Sequence, residues 1–235
     1  MNKLSFIITT YKDFDKLERL VVSLSQHNYL AYPISVLSDG DSDPRIEQLC
    51  NTYGLKCFFY ENAHSLSSGF KFWRNVFEVY KKTPTEYMIK LDADVIAQKP
   101  FDLELDSFTD HMFGTYIKNV NGIEFIQNGV RGFHSRVINY ICDSEYYDQD
   151  LFFKEEYIKA KMFNSTNRIE RGLISTEYLM YKMQKLLMYP MKNCEQIVSY
   201  WFCEKLGKYY GEKSQLLSLE EFNEKVKLAS LVHPA

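Results

Sequence analysis

Two aspartates separated by a single residue are the part of the sequence best suited to chemistry. Asp92 and Asp94 flank Ala93 and follow the mostly apolar segment 87–91. In an extended chain, side chains two residues apart project to the same side, so both carboxylates are expected to face one point. Converging carboxylates are unfavourable to bury unless a cation compensates them. The pair therefore predicts a site for Mg²⁺ or Mn²⁺, which would also accept phosphate oxygens and stabilise a departing diphosphate. The alternative is a solvated turn with two incidental aspartates, because the pattern is short.

The elements that must position these aspartates alternate between strand and helix patterns. Apolar runs predict strands at 4–8, 34–37, 56–60 and 87–91. Apolar stripes at helical spacing lie between them, with Asp13 placed to cap the first helix and Asp43 and Gly54 placed to begin and end the second. This order predicts an α/β fold with a mostly parallel central sheet flanked by helices.

The predicted strand ends are polar and rich in carboxylates. Residues 9–11 (TTY) follow the first strand, residues 38–41 (SDGD) follow the second, and residues 62–68 (NAHSLSS) follow the third. Asp92 and Asp94 follow the fourth. Because sheets of this kind bind ligands beyond the carboxyl ends of their strands, we expect one binding site at this edge.

The second half of the chain has less regular patterns. Strands are predicted at 112–117 and 123–127, and a mainly helical stretch at 146–188. Asn121-Gly122 is a hairpin signal between the two strands. Ser218 and Glu221 fit a capping box before a last amphipathic helix.

Residues 129–134 (GVRGFH) and the two tryptophans are further candidates for ligand contacts. Arg131 and His134 could bind ligand hydroxyls or phosphate from a loop, although an ordinary turn is the preferred interpretation of this segment. Trp73 and Trp201 could stack on sugar rings. Trp73 lies on an apolar helical stripe, so core packing is the better expectation for it.

The composition restricts the class of protein. A formal net charge of −3 over 235 residues offers no general attraction for nucleic acid. Five cysteines without a C-x-x-C pair argue against a disulfide framework or a zinc site and favour a reducing compartment. No segment approaches the eighteen apolar residues of a membrane span. We expect a soluble cytoplasmic protein, or one peripheral to a membrane.

Four segments, in this order, resemble the opening of family 2-like GT-A glycosyltransferases, which are nucleotide-diphospho-sugar transferases. They are residues 4–11 (LSFIITTY), 34–42 (ISVLSDGDS), 69–75 (GFKFWRN) and the aspartate motif at 92–94. The resemblance covers residues 4–100 and is patchy beyond them. It implies a GT-A-like fold and metal-dependent transfer of a sugar, with UDP as the expected nucleotide, to a hydroxyl of a glycan or polysaccharide with inversion. The implied setting is cell-surface polysaccharide or glycan synthesis.

The resemblance also implies roles for individual residues in donor binding. Thr9, Thr10 and Tyr11 would cradle the base and ribose, and Asp39 would accept the ring N–H of uracil. Arg74 would reach the diphosphate or brace the nucleotide pocket. The alternatives are a turn residue for Asp39 and a surface arginine on a helix for Arg74.

The aspartate motif and the end of the chain would supply the metal ligands. Asp94 would bind the cation, Asp92 would contribute to the metal site and face ribose or water, and Ala93 would lie against the donor. The segment Val232-His233-Pro234 resembles an element that completes the metal coordination in many GT-A enzymes, and the imidazole of His233 suits Mn²⁺. The alternative for His233 is a disordered chain end.

An inverting transfer needs a general base for the acceptor hydroxyl. Residues 174–188 resemble the helix that carries this base in the related family, which makes Glu177 the first candidate. Asp148 and Asp150 are the next candidates. An exposed helical glutamate is the ordinary explanation for Glu177.

Four other functions compete with this interpretation. Asp92-Ala-Asp-Val95 fits the motif of a haloacid dehalogenase-like phosphatase, but that motif normally closes the first strand of its domain. A nucleotidyltransferase or dinucleotide dehydrogenase would need glycines after the first strand, and residues 9–13 have none. A non-catalytic sugar-nucleotide-binding relative is the strongest rival. We expect residues 1–235 to form one domain, with the donor half at 1–100 and the acceptor half at 101–235.

Overall fold

A computed structural model of the protein describes residues 3–40, 43–60, 68–118, 124–144, 176–199, 201–203, 208–210 and 216–233. The helices in these ranges are α1 (Phe14–Gln26), α2 (Pro44–Tyr53), α3 (Ser68–Lys82), α4 (Ser135–Cys142), α5 (Thr176–Leu187) and α6 (Leu219–Leu228). The strands are β1 (Leu4–Thr10), β2 (Ile34–Asp39), β3 (Lys56–Tyr60), β4 (Tyr87–Asp92), β5 (Ile96–Ala97), β6 (Met112–Lys118), β7 (Glu124–His134), β8 (Met191–Asn193), β9 (Ile197–Ser199), β10 (Trp201–Cys203), β11 (Lys208–Tyr210), β12 (Leu216–Leu217) and β13 (Leu231–His233).

Seven strands form a central sheet in the order β3-β2-β1-β4-β7-β6-β8. The first four are parallel, and β7 alone runs against its neighbours β4 and β6. In the register of β1 and β4, Thr9 lies opposite Asp92. The predicted α/β fold with a mostly parallel sheet is therefore confirmed, and the polar ends of β1, β2 and β4 meet at one edge.

Helices cover both faces of this sheet, because alternate residues of each strand point to opposite sides. On one face, Phe6, Ile8 and Leu91 pack in a core with α1 and α2. On the other, Ile7 and Met88 pack with α3, α4 and α5. The position of a side chain in β1 or β4 thus determines which helices it meets, and Lys90 and Asp92 lie on the α3 side with Met88.

The signals that begin and end the helices are confirmed in most places. The side chain of Asp43 accepts a hydrogen bond from the backbone N–H of Arg45, and Gly54 ends α2 in the left-handed conformation with φ 68°. Ser218 and Glu221 form the predicted capping box of α6. Asp13 occupies the N-cap position of α1, but its side chain makes no capping hydrogen bond, so this part of the prediction is wrong.

The expectation of a turn or loop at residues 129–134 is wrong. These residues are the second half of β7, in which residues 130–134 pair with β4 and residues 131–133 also pair with β6. Arg131 and His134 are buried at 0% and 4% exposure, so neither is on an open loop. His134 instead begins α4, where Nδ1 accepts a hydrogen bond from the backbone N–H of Arg136. The error arises because β7 continues through Gly129 and Gly132, and glycine also signals turns.

A smaller three-stranded sheet lies beside the central one and contains the last described strand. In it, β13 pairs antiparallel with β5 and parallel with β9. Because β5 follows the aspartate motif directly, this pairing brings residues 231–233 next to the end of β4. Among the described residues, no helix is both long and apolar enough to cross a membrane.

Candidate metal and nucleotide site

Asp92 is the last residue of β4, and its carboxylate is held by two neighbours. Oδ1 accepts a hydrogen bond of 3.0 Å from the hydroxyl of Thr9 on the adjacent strand. Oδ1 also receives the ammonium group of Lys90, two residues earlier on the same strand. The other oxygen, Oδ2, lies 4.0 Å from Nε2 of His233. The carboxylate is thus oriented with one oxygen toward protein donors and the other toward the histidine.

Asp94 lies in a tight turn rather than in an extended segment. The strand ends at Asp92, and the backbone N–H of Val95 donates to the carbonyl of Asp92 at 3.1 Å. The alternation argument for two aspartates on one side therefore does not apply to Asp94. The turn nevertheless directs its carboxylate to the same place, because Oδ1 lies 3.1 Å from Nε2 of His233. Oδ2 lies 3.8 Å from the ammonium of Lys16 on α1.

The surroundings of Asp94 favour its charged form. Burial alone would raise the pKa of this carboxyl, but the hydrogen bond and charge of His233 and the charge of Lys16 outweigh it and leave the pKa below its usual range. Asp94 is about one-third exposed. It is therefore ionised at neutral pH and can be reached from the cavity described below.

His233 is placed by a strand and by a glycine. The register of β13 sets His233 opposite Ser199, so this residue lies in a strand and not in the disordered chain end that was the alternative. A Cβ added to Gly129 would lie 2.4 Å from Cγ of the imidazole, so only glycine permits this ring position. The ring is 19% exposed, and its Nδ1 is buried without a hydrogen-bond partner in the described part of the chain. Nε2 is thus the nitrogen that faces the aspartates.

Asp92, Asp94 and His233 together could hold a metal ion. One ligand atom from each lies within 4.8 Å of the others. Two carboxylates and one imidazole fit a divalent cation such as Mn²⁺, and three protein ligands leave positions for phosphate oxygens. The donor set is therefore compatible with the metal expected from the sequence.

A cavity of about 200 Å³ opens beside these ligands at the edge of the sheet. Its described lining residues are Thr9, Thr10, Tyr11, Asp13, Asp39, Phe72, Asp92, Ala93 and Asp94. The Oγ1 atom of Thr10 is buried and has no hydrogen-bond partner among the described residues. A bound ligand could provide that partner. Tyr11 lies over Gly40, where a Cβ would approach its ring to 3.3 Å. The cavity therefore brings together all but one of the expected donor-binding residues.

The remaining predicted residues are not brought to this cavity within the described structure. Arg74 is exposed on α3 and is not among the described lining residues. Glu177 lies in the first turn of α5, but its side chain is outside the described part. Asp148 and Asp150 also lie outside the described residues. Trp73 is buried in the core between α3 and β7, as expected.

Sequence reasoning missed four residues that shape the site. They are Lys16, Lys90, Gly129 and Phe72. For Lys90, the sequence did contain a usable signal. A lysine in an otherwise apolar strand is rarely buried unless it is paired, and Asp92 follows two residues later. Lys16 and Phe72 lie on amphipathic helices, where their spacing does not distinguish them from ordinary surface or core residues.

Comparisons with known proteins identify the fold and not the family. No family model matches the sequence, and no curated protein matches it. Among solved structures, the bifunctional glycosyltransferase WbbM superposes with a TM-score of 0.54 and 11% identity over 100% of this chain. TarS of S. aureus superposes with a TM-score of 0.51 and 15% identity over 96% of this chain. The chain spans 46% and 38% of their lengths, respectively. The protein therefore has a GT-A-like fold.

Proposed function

From the GT-A-like fold, we propose that this protein is a metal-dependent glycosyltransferase that takes its sugar from a UDP-sugar. The observation that supports this proposal most directly is that Asp92, Asp94 and His233 converge beside a cavity at the carboxyl ends of β1, β2 and β4. Metal ligands next to a cavity with polar lining residues are what diphosphate chemistry requires. The likeness to solved structures supports the fold, and the site supports the activity.

The cavity offers the nucleotide several polar groups at fixed positions. Thr9 and Thr10 are buried at the end of β1, so their positions are set by the sheet. Tyr11 presents a partly exposed ring for stacking on the base. Asp39 ends β2 and can accept the imide N–H of uracil. These four residues would bind the uridine part of the donor.

The diphosphate would lie toward the aspartates and the histidine. Asp94, Asp92 and His233 would hold the cation, which when bound neutralises charge on the departing diphosphate. Lys16, whose ammonium lies 3.8 Å from Asp94, adds a second positive group on the α1 side. Thr9 and Lys90 keep the carboxylate of Asp92 in one orientation, so the ligands need little rearrangement.

The acceptor hydroxyl needs a base, and Glu177 remains the proposed one. Proton removal from the hydroxyl as it attacks the anomeric carbon would give inversion, with the diphosphate leaving from the opposite face. Asp148 and Asp150 are the alternatives. The acceptor is proposed to be a glycan or polysaccharide hydroxyl bound mainly by residues 101–235, while residues 1–100 bind the donor. We also propose that these two parts form one domain and that the protein acts in the cytoplasm or at a membrane surface.

Binding and turnover measurements test this proposal. Calorimetry with UDP, with and without Mn²⁺, should show tight binding only with the metal, and Asp94→Asn should abolish the metal-dependent part. A panel of UDP- and GDP-sugars should then reveal hydrolysis or transfer of one donor. Metal-dependent UDP binding without any turnover would indicate the non-catalytic binder. The same response to all nucleotides, with or without metal, would contradict the proposal.

A further inference from the structure

Lys90 is a charged side chain inside the core, which requires an explanation. It lies in the middle of β4, pairs in register with Arg131 of β7 and has 0% exposure. Its ammonium contacts Oδ1 of Asp92 and donates to the carbonyl of Asn128 at 2.9 Å. It also lies 5.2 Å from the ring centre of Phe72. Such a group is costly to bury unless it is paired, and its partner here is a proposed metal ligand.

The pairing changes what Asp92 can do for a cation. Lys90 and Thr9 both hold Oδ1, so Oδ2 is the oxygen left toward His233. The positive charge of Lys90 also balances the negative charge of Asp92 before any cation arrives. Asp94 is then the carboxylate that gives the cluster most of its net negative charge. A site of this kind attracts a divalent cation less strongly than two unpaired carboxylates would.

The same charge has the opposite effect on an anionic ligand. The buried ammonium adds to the positive potential that a diphosphate meets at the cavity. Lys90 therefore weakens the binding of a cation alone and strengthens the binding of a diphosphate. When both ligands bind, the two effects oppose each other, so the fixed charge discriminates against the bare cation.

We propose that Lys90 is a positioning residue that lowers the affinity of Asp92, Asp94 and His233 for a bare cation and raises the affinity of the cavity for a nucleotide diphosphate. It does so by fixing Asp92 through Oδ1 and by balancing the charge of that carboxylate. This inference rests on the proposed function, because it assumes that a cation and a nucleotide share the site. A purely structural lysine would support the strand and would leave both affinities unchanged.

The test is Mn²⁺ binding, measured by electron paramagnetic resonance of the free ion, with and without UDP. In the wild type, UDP should tighten Mn²⁺ binding by at least about tenfold. Lys90→Met keeps most of the volume and removes the charge. This variant should bind Mn²⁺ alone about fivefold or more tightly than the wild type, and at saturating Mn²⁺ it should bind UDP about fivefold or more weakly.

Controls separate this effect from a loss of folding. Ser5 shares a buried hydrogen bond of 2.8 Å with Thr85 at the other end of the same strand pair, so Ser5→Ala removes a buried polar contact away from the site. It should lower the melting temperature and leave Mn²⁺ binding unchanged. Lys90→Gln, which retains a donor, replaces Lys90→Met if the latter does not fold.

The outcomes distinguish the inference from the proposed function. If UDP tightens Mn²⁺ binding in the wild type but the neutral Lys90 variants bind Mn²⁺ alone no more tightly, the inference is wrong and the proposed function stands. If these variants bind Mn²⁺ alone more tightly but bind UDP as tightly as the wild type does, the inference is also wrong. If no Mn²⁺ binds even with UDP, the proposed function itself fails.

Discussion

Gly129 of β7 lies directly under the imidazole of His233, and any Cβ at this position would come within 2.4 Å of Cγ of the ring. The two residues are 104 positions apart in sequence, yet the close approach of backbone and ring fixes where the histidine points. Nε2 of the ring is thereby held 3.1 Å from Asp94. The missing side chain of a glycine thus helps to build the proposed metal site.

Gly129→Ala should therefore weaken metal binding by displacing His233. We expect Mn²⁺ affinity in the presence of UDP to fall about tenfold, as for loss of a supporting contact to a metal ligand. The double variant Gly129→Ala/His233→Ala should be no weaker than His233→Ala alone, because both act through the ring. Isothermal titration calorimetry measures these affinities.

Gly132→Ala is the matched control on the same strand. A Cβ there would lie 2.2 Å from the ring of Phe113, in the core and away from His233. It should reduce stability by roughly 1–3 kcal/mol through overpacking. Equal loss of Mn²⁺ affinity in both alanine variants would contradict the role given to Gly129.

The lowered pKa of Asp94 gives a pH dependence of stability in metal-free protein. Because the pKa is below its usual range in the folded state, the charged group stabilises the fold above the unfolded pKa of about 3.9. This contribution is lost as the pH falls through the folded pKa. The unfolding free energy of the wild type should therefore approach that of Asp94→Asn as the pH decreases below about 4. Urea unfolding of both proteins in EDTA measures these free energies. If the wild type and Asp94→Asn differed more in unfolding free energy at about pH 2 than at about pH 4, this prediction would be wrong.

Asp39 should contribute to recognition of the base and not of the diphosphate. Removing a hydrogen bond to a charged group typically costs about 1.5–3 kcal/mol, so Asp39→Ala should weaken UDP binding roughly tenfold or more. Binding of pyrophosphate with Mn²⁺ should stay unchanged, because pyrophosphate lacks the base. A parallel loss for UDP and pyrophosphate would show that Asp39 supports the whole cavity instead.

Glu177→Gln should slow sugar transfer and leave donor binding intact. A general base typically contributes about 10²–10⁴-fold to the rate, and the amide cannot accept the proton. Stopped assays of transfer with saturating donor give the rate, while calorimetry with UDP and Mn²⁺ gives the donor affinity. If Glu177→Gln retains full activity, the same measurements on Asp148→Asn and Asp150→Asn decide between the alternatives.

The sequence predicted the donor side of the fold well because its signals are local. The cap at Asp43, the left-handed Gly54 and the apolar strands are all determined by residues close in sequence. The edge where Thr9 and Asp92 meet follows from parallel pairing, which the alternating element order predicts. This part of the site depends on topology alone, so it was within reach of pattern analysis.

Other features depend on contacts between distant segments, and pattern analysis could not provide them. Gly129 and Gly132 resemble turn residues, but they are in a paired strand where rings of His233 and Phe113 pack on the backbone. The position of His233 depends on pairing of β13 with β5 and β9. The lysine in the apolar strand could be noticed in the sequence, but its contact with Asp92 depends on where both side chains lie.

The most direct test of the account is the location of Mn²⁺ in crystals grown with UDP, identified by anomalous scattering. We predict one manganese peak that contacts Asp94, Asp92 and His233. The nucleotide should lie between Thr9, Tyr11 and Asp39. Manganese and UDP bound away from the end of β4 would contradict the proposed site and, with it, the proposed glycosyl transfer.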